Sequence, residues 1–372
     1  MEFRYDTVII GAGPAGAACG ITLQKRGVNH CIIDKAVFPR SKTCAGLVTG
    51  KALRNIKELY GEDGIDELFC AVSSKVKIYN RKELLTEAPI SHPVHLVNRR
   101  DFDNALVEKY RSLGGELREG ECDIAIDFVD DCVVLENGDK LFYKTIVFAD
   151  GALSLAHKLL YVPREKLAFG VEVYLPAEKL PTDSVDLYFG YLDSGYVWVF
   201  PHGDTVCVGV ANIYHKKEDY QKILAKVLSD LGVETSEEKF IGAFLPYGFV
   251  VPQKKLPDNV LLAGDAGGFT DPISGEGLYM AIKTGIYAAE SVLTPMPQTE
   301  YLKRVKPFEK VVKDGKKLQK MFYKPSIQSK FIKKVKGNSR VVSFFFDNQV
   351  DEYKYTYHHM PALFRDYKRL KK

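Results

Sequence analysis

The chain opens on a short apolar run over residues 6–10, gives way to small residues over 14–26 that stop before Gly27, and turns apolar again over 29–34. These periods predict strand, helix and strand, the βαβ start of a dinucleotide-binding fold. A loop with Pro39, Arg40 and Lys42 follows, then strand-like runs at 76–79 and 94–97 and a helix at 101–113 closed by Gly114 and Gly115. Further strands are expected at 122–128, 132–135 and 145–149. From residue 168 to 245 the pattern changes to strands with alternating aromatics, at 185–191, 196–200 and 206–210, broken by one helix near 220–231. That texture reads as an antiparallel sheet inserted into the nucleotide fold and facing a substrate. A strand at 260–263 and a helix at 275–293 restore the Rossmann character, and a helical tail rich in Lys and aromatics lies beyond Pro295. The fold class is therefore α/β: a Rossmann-type domain with an inserted antiparallel sheet and a helical C-terminal segment.

Composition and charge then narrow the picture. With 372 residues, 46% of them hydrophobic, the chain can bury a sizeable core. No apolar run approaches the roughly 18 residues of a spanning helix, and no cleavable signal pattern precedes the first strand, so a cytoplasmic protein is expected. The seven cysteines are scattered, with no Cys-x-x-Cys pair and no His at ligand spacing, which argues against disulfides and structural zinc. Residues 303–336 carry 13 Lys or Arg against Glu309 and Asp314, so this segment holds +11 of a net charge of +4 and leaves the rest acidic.

The candidate chemistry starts at Gly11-Ala12-Gly13-Pro14-Ala15-Gly16, between the first strand and the first helix. Absent side chains there let the backbone approach a pyrophosphate at a helix N-terminus. Asp34, at the end of the second strand, can accept from the adenosine ribose hydroxyls. A second small-residue turn, Gly264-Asp265-Ala266-Gly267-Gly268, follows a strand far along the chain and separates FAD from NAD. Its Asp can hold a ribityl hydroxyl, and Pro272-Ile273-Ser274-Gly275-Glu276-Gly277 opens the next helix with free amides that could face the flavin N1 and O2.

With these two turns the chain resembles the flavoprotein superfamily that contains para-hydroxybenzoate hydroxylase. Val97-Asn98-Arg99-Arg100-Asp101-Phe102-Asp103 is similar to the segment whose first Arg contacts the cofactor, which points to Arg99; Ala149-Asp150-Gly151-Ala152-Leu153-Ser154 is similar to the middle motif near the pyrophosphate. Two segments resemble the geranylgeranyl reductase family, which saturates isoprenoid double bonds. Ser41-Lys42-Thr43-Cys44-Ala45-Gly46-Leu47 is similar to its Lys-x-Cys-Gly-Gly loop beside the flavin, with Ala45 in place of the first Gly. Gly195-Tyr196-Val197-Trp198-Val199-Phe200-Pro201 matches its YxWxFP core, although Asp193 stands where the family has a Pro.

The resemblance implies FAD as cofactor, held by Gly11, Gly13, Pro14, Ala15, Gly16, Asp34, Lys35, Arg40, Cys44, Ala45, Arg99, Asp150, Gly151, Gly264, Asp265, Gly275 and Gly277. It also implies reduction of carbon–carbon double bonds in an apolar or lipid substrate, with NAD(P)H or a ferredoxin-like protein as electron donor and no nucleic-acid partner. Cys44 and Tyr196 are the candidates for proton donation or for positioning. Cys44 follows the cations of Arg40 and Lys42, a setting that can make a thiol reactive, though single cysteines are more often packing residues. Tyr196, Trp198 and Phe200 alternate onto one face of a strand, an aromatic stripe that would wall a pocket with Pro201 or serve as core.

The division expected is an FAD domain from 1–75, 96–165 and 255–295, a substrate sheet from 76–95 and 166–254, and a basic helical region over 296–372. Apolar residues at helical spacing over 301–322, with lysines between them, suggest a helix that docks on the protein or binds an anionic membrane peripherally. The alternatives are a flavin monooxygenase or halogenase of the same fold, or a non-catalytic flavin-binding redox partner.

Overall fold

A computed structural model describes residues 1–160, 167–212, 219–234 and 239–347. The expectation for residues 348–372 lies outside them.

The first sheet runs Glu116–Glu119, His30–Asp34, Glu2–Ile10, Lys140–Phe148, all parallel. The far edge of Lys140–Phe148 is shared: its first residues pair antiparallel with Cys132–Val134, which pairs on with Ala125–Asp127, and its last residues pair parallel with Val260–Leu262. These strands are apolar on both sides because both faces are covered. Ile9, Ile32, Val147 and Leu261 meet a layer of helices, while Val8, Ile10, Ile33, Ile146 and Phe148 fill a second core on the opposite face. The helix layer contains Pro14–Gln24, Gly50–Tyr60, Arg99–Ser112 and Leu278–Val292. Pro14 starts the first helix, where its missing N–H is no loss.

The second sheet has the order Ile241–Leu245, Ala168–Pro176, Thr205–Asn212, Gly195–His202, Val185–Phe189, Ala71–Asn80, Glu83–Leu96, Leu47–Val48. It is antiparallel as expected except at one seam, where Val185–Phe189 runs parallel to Ala71–Asn80. The cause is connectivity: the hairpin Ala71–Asn80/Glu83–Leu96 is laid down before the chain returns to the first sheet, so no hairpin joins the two halves. One face of this sheet, with Val171, Val173, Val197, Val199 and Val208, is covered by helix Tyr220–Asp230. The other face carries Tyr196, Trp198 and Phe200 and is covered by helices Pro325–Val335 and Ser339–Asp347 of the C-terminal segment.

Several local expectations need adjustment. The runs at 76–79 and 94–97 are fragments of the long hairpin, whose register shifts between Ser73 and Lys75 and whose charged outward positions hide its length. The strand expected at 122–128 is confined to Ala125–Asp127, because Cys122 N–H closes a tight turn onto Gly120 O. Helix Gly50–Tyr60 and strand Glu116–Glu119 were not foreseen. The helix expected from residue 275 starts at Leu278, with Gly277 as its N-cap.

Candidate functional site

The two small-residue turns, some 250 positions apart in sequence, touch. A Cβ on Gly264 would lie 3.0 Å from the Ala15 side chain, and one on Gly285 would lie 2.1 Å from Ala15 O. Helices Pro14–Gln24 and Leu278–Val292 therefore cross with backbone against backbone, which Gly285 alone permits, and this crossing brings their N-terminal ends together. Gly285 was missed by sequence reasoning; its signal was a Gly inside an otherwise good helical pattern.

Gly11 has φ +102°, and its Cβ position lies 2.6 Å from Ala149 O and 2.9 Å from Asp150 Cα, so the first turn is pressed against the 149–151 segment. A Cβ on Gly16 would collide with Gly11 O at 1.7 Å. Gly13, by contrast, faces open space apart from the Arg40 guanidinium at 3.4 Å. Asp34 is buried and accepts from Ala12 N–H (2.6 Å) and Ala36 N–H (2.8 Å), so it ties the turn to the second strand and keeps lone pairs free for hydroxyl donors. Lys35 beside it is exposed. Asp150 accepts from Leu155 N–H (2.7 Å) through one oxygen; the other is buried without a protein partner, and burial raises the pKa of this carboxyl. A cradle left open at Gly13 and an orphaned carboxylate oxygen beside Gly11 fit the pyrophosphate and hydroxyls of a dinucleotide.

Arg99 is buried and forks onto Asp103 (2.7 and 2.8 Å), which also meets Arg40 at 3.1 Å. Burial works against the Arg99 charge, but Asp103 and the neighbouring Cys44 thiol raise its pKa further still. The cation set against Cys44 is thus Arg99, from a helix start, in addition to the two that precede Cys44 in sequence. Cys44 N–H donates to Glu172 Oε1 (2.9 Å), Tyr174 Oη donates to Cys44 O (3.3 Å), and His202 Nε2 bonds Ala45 O (3.0 Å). The Cys44 loop is in this way fastened to the second sheet.

Asp265 accepts from the Thr270 hydroxyl (3.0 Å) and lies 3.4 Å from a Cβ on Gly277, at the start of helix Leu278–Val292. The turn between them is shaped by Asp271, which accepts from Ile273 N–H and Ser274 N–H (2.9 and 2.8 Å). Tyr196 reaches across from the second sheet and donates to Ser274 O, and its hydroxyl is 3.8 Å from a Cβ on Gly275. Burial, with Asp271 and Cys44 nearby, pushes its pKa upward, so the phenol stays protonated at neutral pH. Trp198 and Phe200 are closed in, Trp198 resting on Gly209 and donating to Cys207 Sγ (3.4 Å), and Pro201 is half-buried. Of the stripe, Tyr196 alone meets the 271–277 turn. Its ring continues into a cluster with Phe189, Phe322 and Phe331, the last two supplied by the C-terminal helices.

A first sheet with helices over both small-residue turns, joined to a second sheet that reaches the 271–277 turn, defines the class: an FAD-dependent oxidoreductase. Comparison with known proteins gives the family. Residues 5–182 match the pyridine nucleotide-disulphide oxidoreductase family. The chain is 31% identical over 294 residues to an uncharacterised protein of Methanosarcina barkeri, covering 78% of this chain and 74% of that one. It is 28% identical over 310 residues to geranylgeranyl diphosphate reductase of Rhodobacter capsulatus, covering 78% and 75%. A geranylgeranyl bacteriochlorophyll reductase-like protein of Thermoplasma acidophilum superposes with a TM-score of 0.76 at 18% identity over 100% of both chains, which bears on the fold alone. The chain belongs to the geranylgeranyl reductase family of FAD-dependent oxidoreductases.

Proposed function

We propose that the protein reduces carbon–carbon double bonds of an isoprenoid chain carried by a membrane lipid or lipid precursor. The observation that carries this reading is Tyr196: it joins the turn at 271–277 to an aromatic cluster suited to a long apolar chain. The name of the Rhodobacter relative supports the same substrate class.

In this reading Gly11, Gly13, Pro14, Ala15 and Gly16 receive the pyrophosphate at the helix start, Asp34 the adenosine ribose, and Asp150, Gly151, Gly264 and Asp265 the diphosphate and ribityl hydroxyls. Lys35, Arg40 and Arg99 supply positive charge along the cofactor, and Gly275 and Gly277 present amides to the isoalloxazine edge. Once reduced by the donor, bound FAD would supply the hydride. The protein must add a proton to the other carbon, because an unactivated alkene accepts hydride poorly without one. Tyr196 is a candidate by position, since its hydroxyl lies at the turn, although burial, by raising its pKa, makes it a weaker acid that needs the developing carbanion to draw the proton. Cys44, held under Arg99, positions the chain or donates in its place. The electrons come from NAD(P)H or a ferredoxin-like protein, and the basic outer face of the C-terminal helices holds the enzyme reversibly on an anionic membrane.

The test is to reduce the protein under anaerobic conditions, add a geranylgeranyl-bearing lipid, and follow product mass and flavin reoxidation. Gain of two hydrogens per bond, with reoxidation that depends on the lipid, is expected. No mass gain, together with an oxygenated or halogenated product from an aromatic compound in air, would overturn the reading.

A further inference from the structure

Strand Ala168–Pro176 is apolar except at one inward position, Glu172, which is 0% exposed. Val171, Val173 and Leu175 point to the helix-covered face, so Glu172 and Tyr174 point to the face of the aromatic stripe and the Cys44 loop. No salt bridge reaches Glu172 among the described residues. Its Oε1 accepts Cys44 N–H at 2.9 Å, and its Oε2 faces the Cys207 thiol at 3.8 Å. The charged or titratable groups around it are Lys42 and Cys44 on the loop, Tyr174 on its own strand, Cys207 on strand Thr205–Asn212, and Arg99, paired with Asp103, on helix Arg99–Ser112. Its register neighbours Gly209 and Ile241 bring none.

A carboxylate in such a place is costly unless paired, and the cheapest remedy is to take up a proton. The two forms treat the loop differently. As an anion, Glu172 accepts a charge-assisted bond from Cys44 N–H; as a neutral acid, it accepts a weaker one and turns a donor toward its surroundings. We propose that Glu172 is a positioning residue whose charged form clamps the Cys44 loop at the site and whose neutral form loosens it. Burial supports the switch by pushing the carboxyl up to about 7, offset in part by Cys44 N–H, Lys42, Cys207 and Arg99. Glu172 is protonated in the fold below that point and charged above it, so the clamp engages as pH rises through neutrality.

The functional weight of this switch rests on the role given to Cys44 above, but its test needs no substrate. Alkylation of Cys44 in the flavin-loaded protein is followed by peptide mass spectrometry in the wild type and in Glu172→Gln, from about pH 5 to about pH 9. Loss of the nearby charge also acts on the thiol, so amide hydrogen–deuterium exchange over 41–47, which does not depend on the thiol, is followed in the same samples and should rise with the alkylation rate. Gln is a permanent neutral acceptor, so the ratio of variant to wild type should be near one at the acid end. It should rise severalfold above neutrality, where the wild type alone carries the clamping charge. Glu172→Asp, whose carboxylate falls short of Cys44 N–H, should alkylate faster than wild type at alkaline pH and serves if the Gln variant is poorly folded. A ratio that stays flat across the range, or an Asp variant as slow as wild type, would overturn the proposal without touching the substrate assignment. Failure to reduce isoprenoids would leave the alkylation result standing.

Discussion

At Gly13 the backbone angles, φ −66° and ψ −177°, are ones that any L-residue adopts, and the only neighbour of a new side chain is the end of Arg40. Gly11 differs, because its positive φ and the Ala149 carbonyl forbid a side chain on conformational and steric grounds alike. Gly13→Val should therefore fold like the wild type and yet lose at least about tenfold in FAD affinity, since only the pyrophosphate needs that space. Absorbance of bound flavin alongside an unchanged thermal melt checks this; normal flavin content would remove Gly13 from the cofactor site. Cys44→Ala is the companion experiment. The loop is fixed through the backbone N–H and C=O of Cys44, so truncating the thiol leaves its fastening to Glu172 and Tyr174 in place. FAD content should be retained while turnover falls roughly 100-fold, the lower end of what an acid–base group contributes, or the product pattern changes. Unchanged kinetics and products would make Cys44 a packing residue.

At the scale of elements, the site depends on how closely two helices cross. Ala15 lies between Gly285 on one side and Gly264 on the other, so the separation of helices Pro14–Gln24 and Leu278–Val292 also sets the distance between the two small-residue turns. Gly285→Leu would force them apart at a point where backbone meets backbone. Overpacking of this kind costs about 1–3 kcal/mol, which for a chain of this size lowers the melting temperature by a few degrees. FAD retention should fall with it, although residue 285 contributes no side chain to the cofactor. Calorimetry and flavin content measured together test the link; a destabilised variant with full flavin would break it. Tyr196 bridges elements in another sense, since one hydroxyl ties the second sheet to the 271–277 turn. Gln319 of helix Pro297–Phe322 braces the same turn by donating to Pro272 O, and Gly315 lets that helix sit against Pro272.

Over the whole molecule, the C-terminal helices divide their labour by face. Helix Pro297–Phe322 buries Tyr301, Val305, Phe308, Val312 and Leu318 inward. Outward it exposes Lys303, Lys306, Lys310, Lys313, Lys317 and Lys320, alternately three and four residues apart, in a stripe about 25 Å long. Lys303, Lys313 and Lys317 are ion-paired to acids on the same helix, whereas Lys306, Lys310 and Lys320 form no ion pair among the described residues. Docking and membrane attachment are therefore compatible rather than rival readings of this helix. No helix among the described residues is long and apolar enough to cross a membrane. Replacing Lys306, Lys310 and Lys320 by Gln should leave the fold and flavin intact while weakening binding to anionic vesicles roughly 100-fold, at about 1 kcal/mol per lysine. Co-sedimentation with phosphatidylserine vesicles measures it; equal binding of wild type to neutral vesicles, or no loss in the variant, would rule out attachment by this stripe.

The sequence by itself determined the βαβ opening, both small-residue turns and the strand-then-helix setting of each, because these follow from local periods and from backbone conformations that only Gly allows. Helical spacing also picked out the inward Val305, Phe308, Val312 and Leu318 of the tail, but it counted Leu302 and Phe322, which are half-buried, and passed over the buried Tyr301 and Val311. What the tertiary structure decided is which distant parts meet. Ala15 against Gly264 and Gly285, Arg99 against Cys44, and Tyr196 against Ser274 are contacts between residues from 55 to 270 positions apart, and no local pattern encodes them. The aromatic stripe shows the difference most directly. Alternation put its three rings on one face, but only the packing of the C-terminal helices and Gly209 closed in Trp198 and Phe200 and left Tyr196 at the turn. Glu172 was not singled out from the sequence, because what it does depends on the loop that folds over it, and the cost of a buried charge is set by its surroundings and not by its neighbours in the chain.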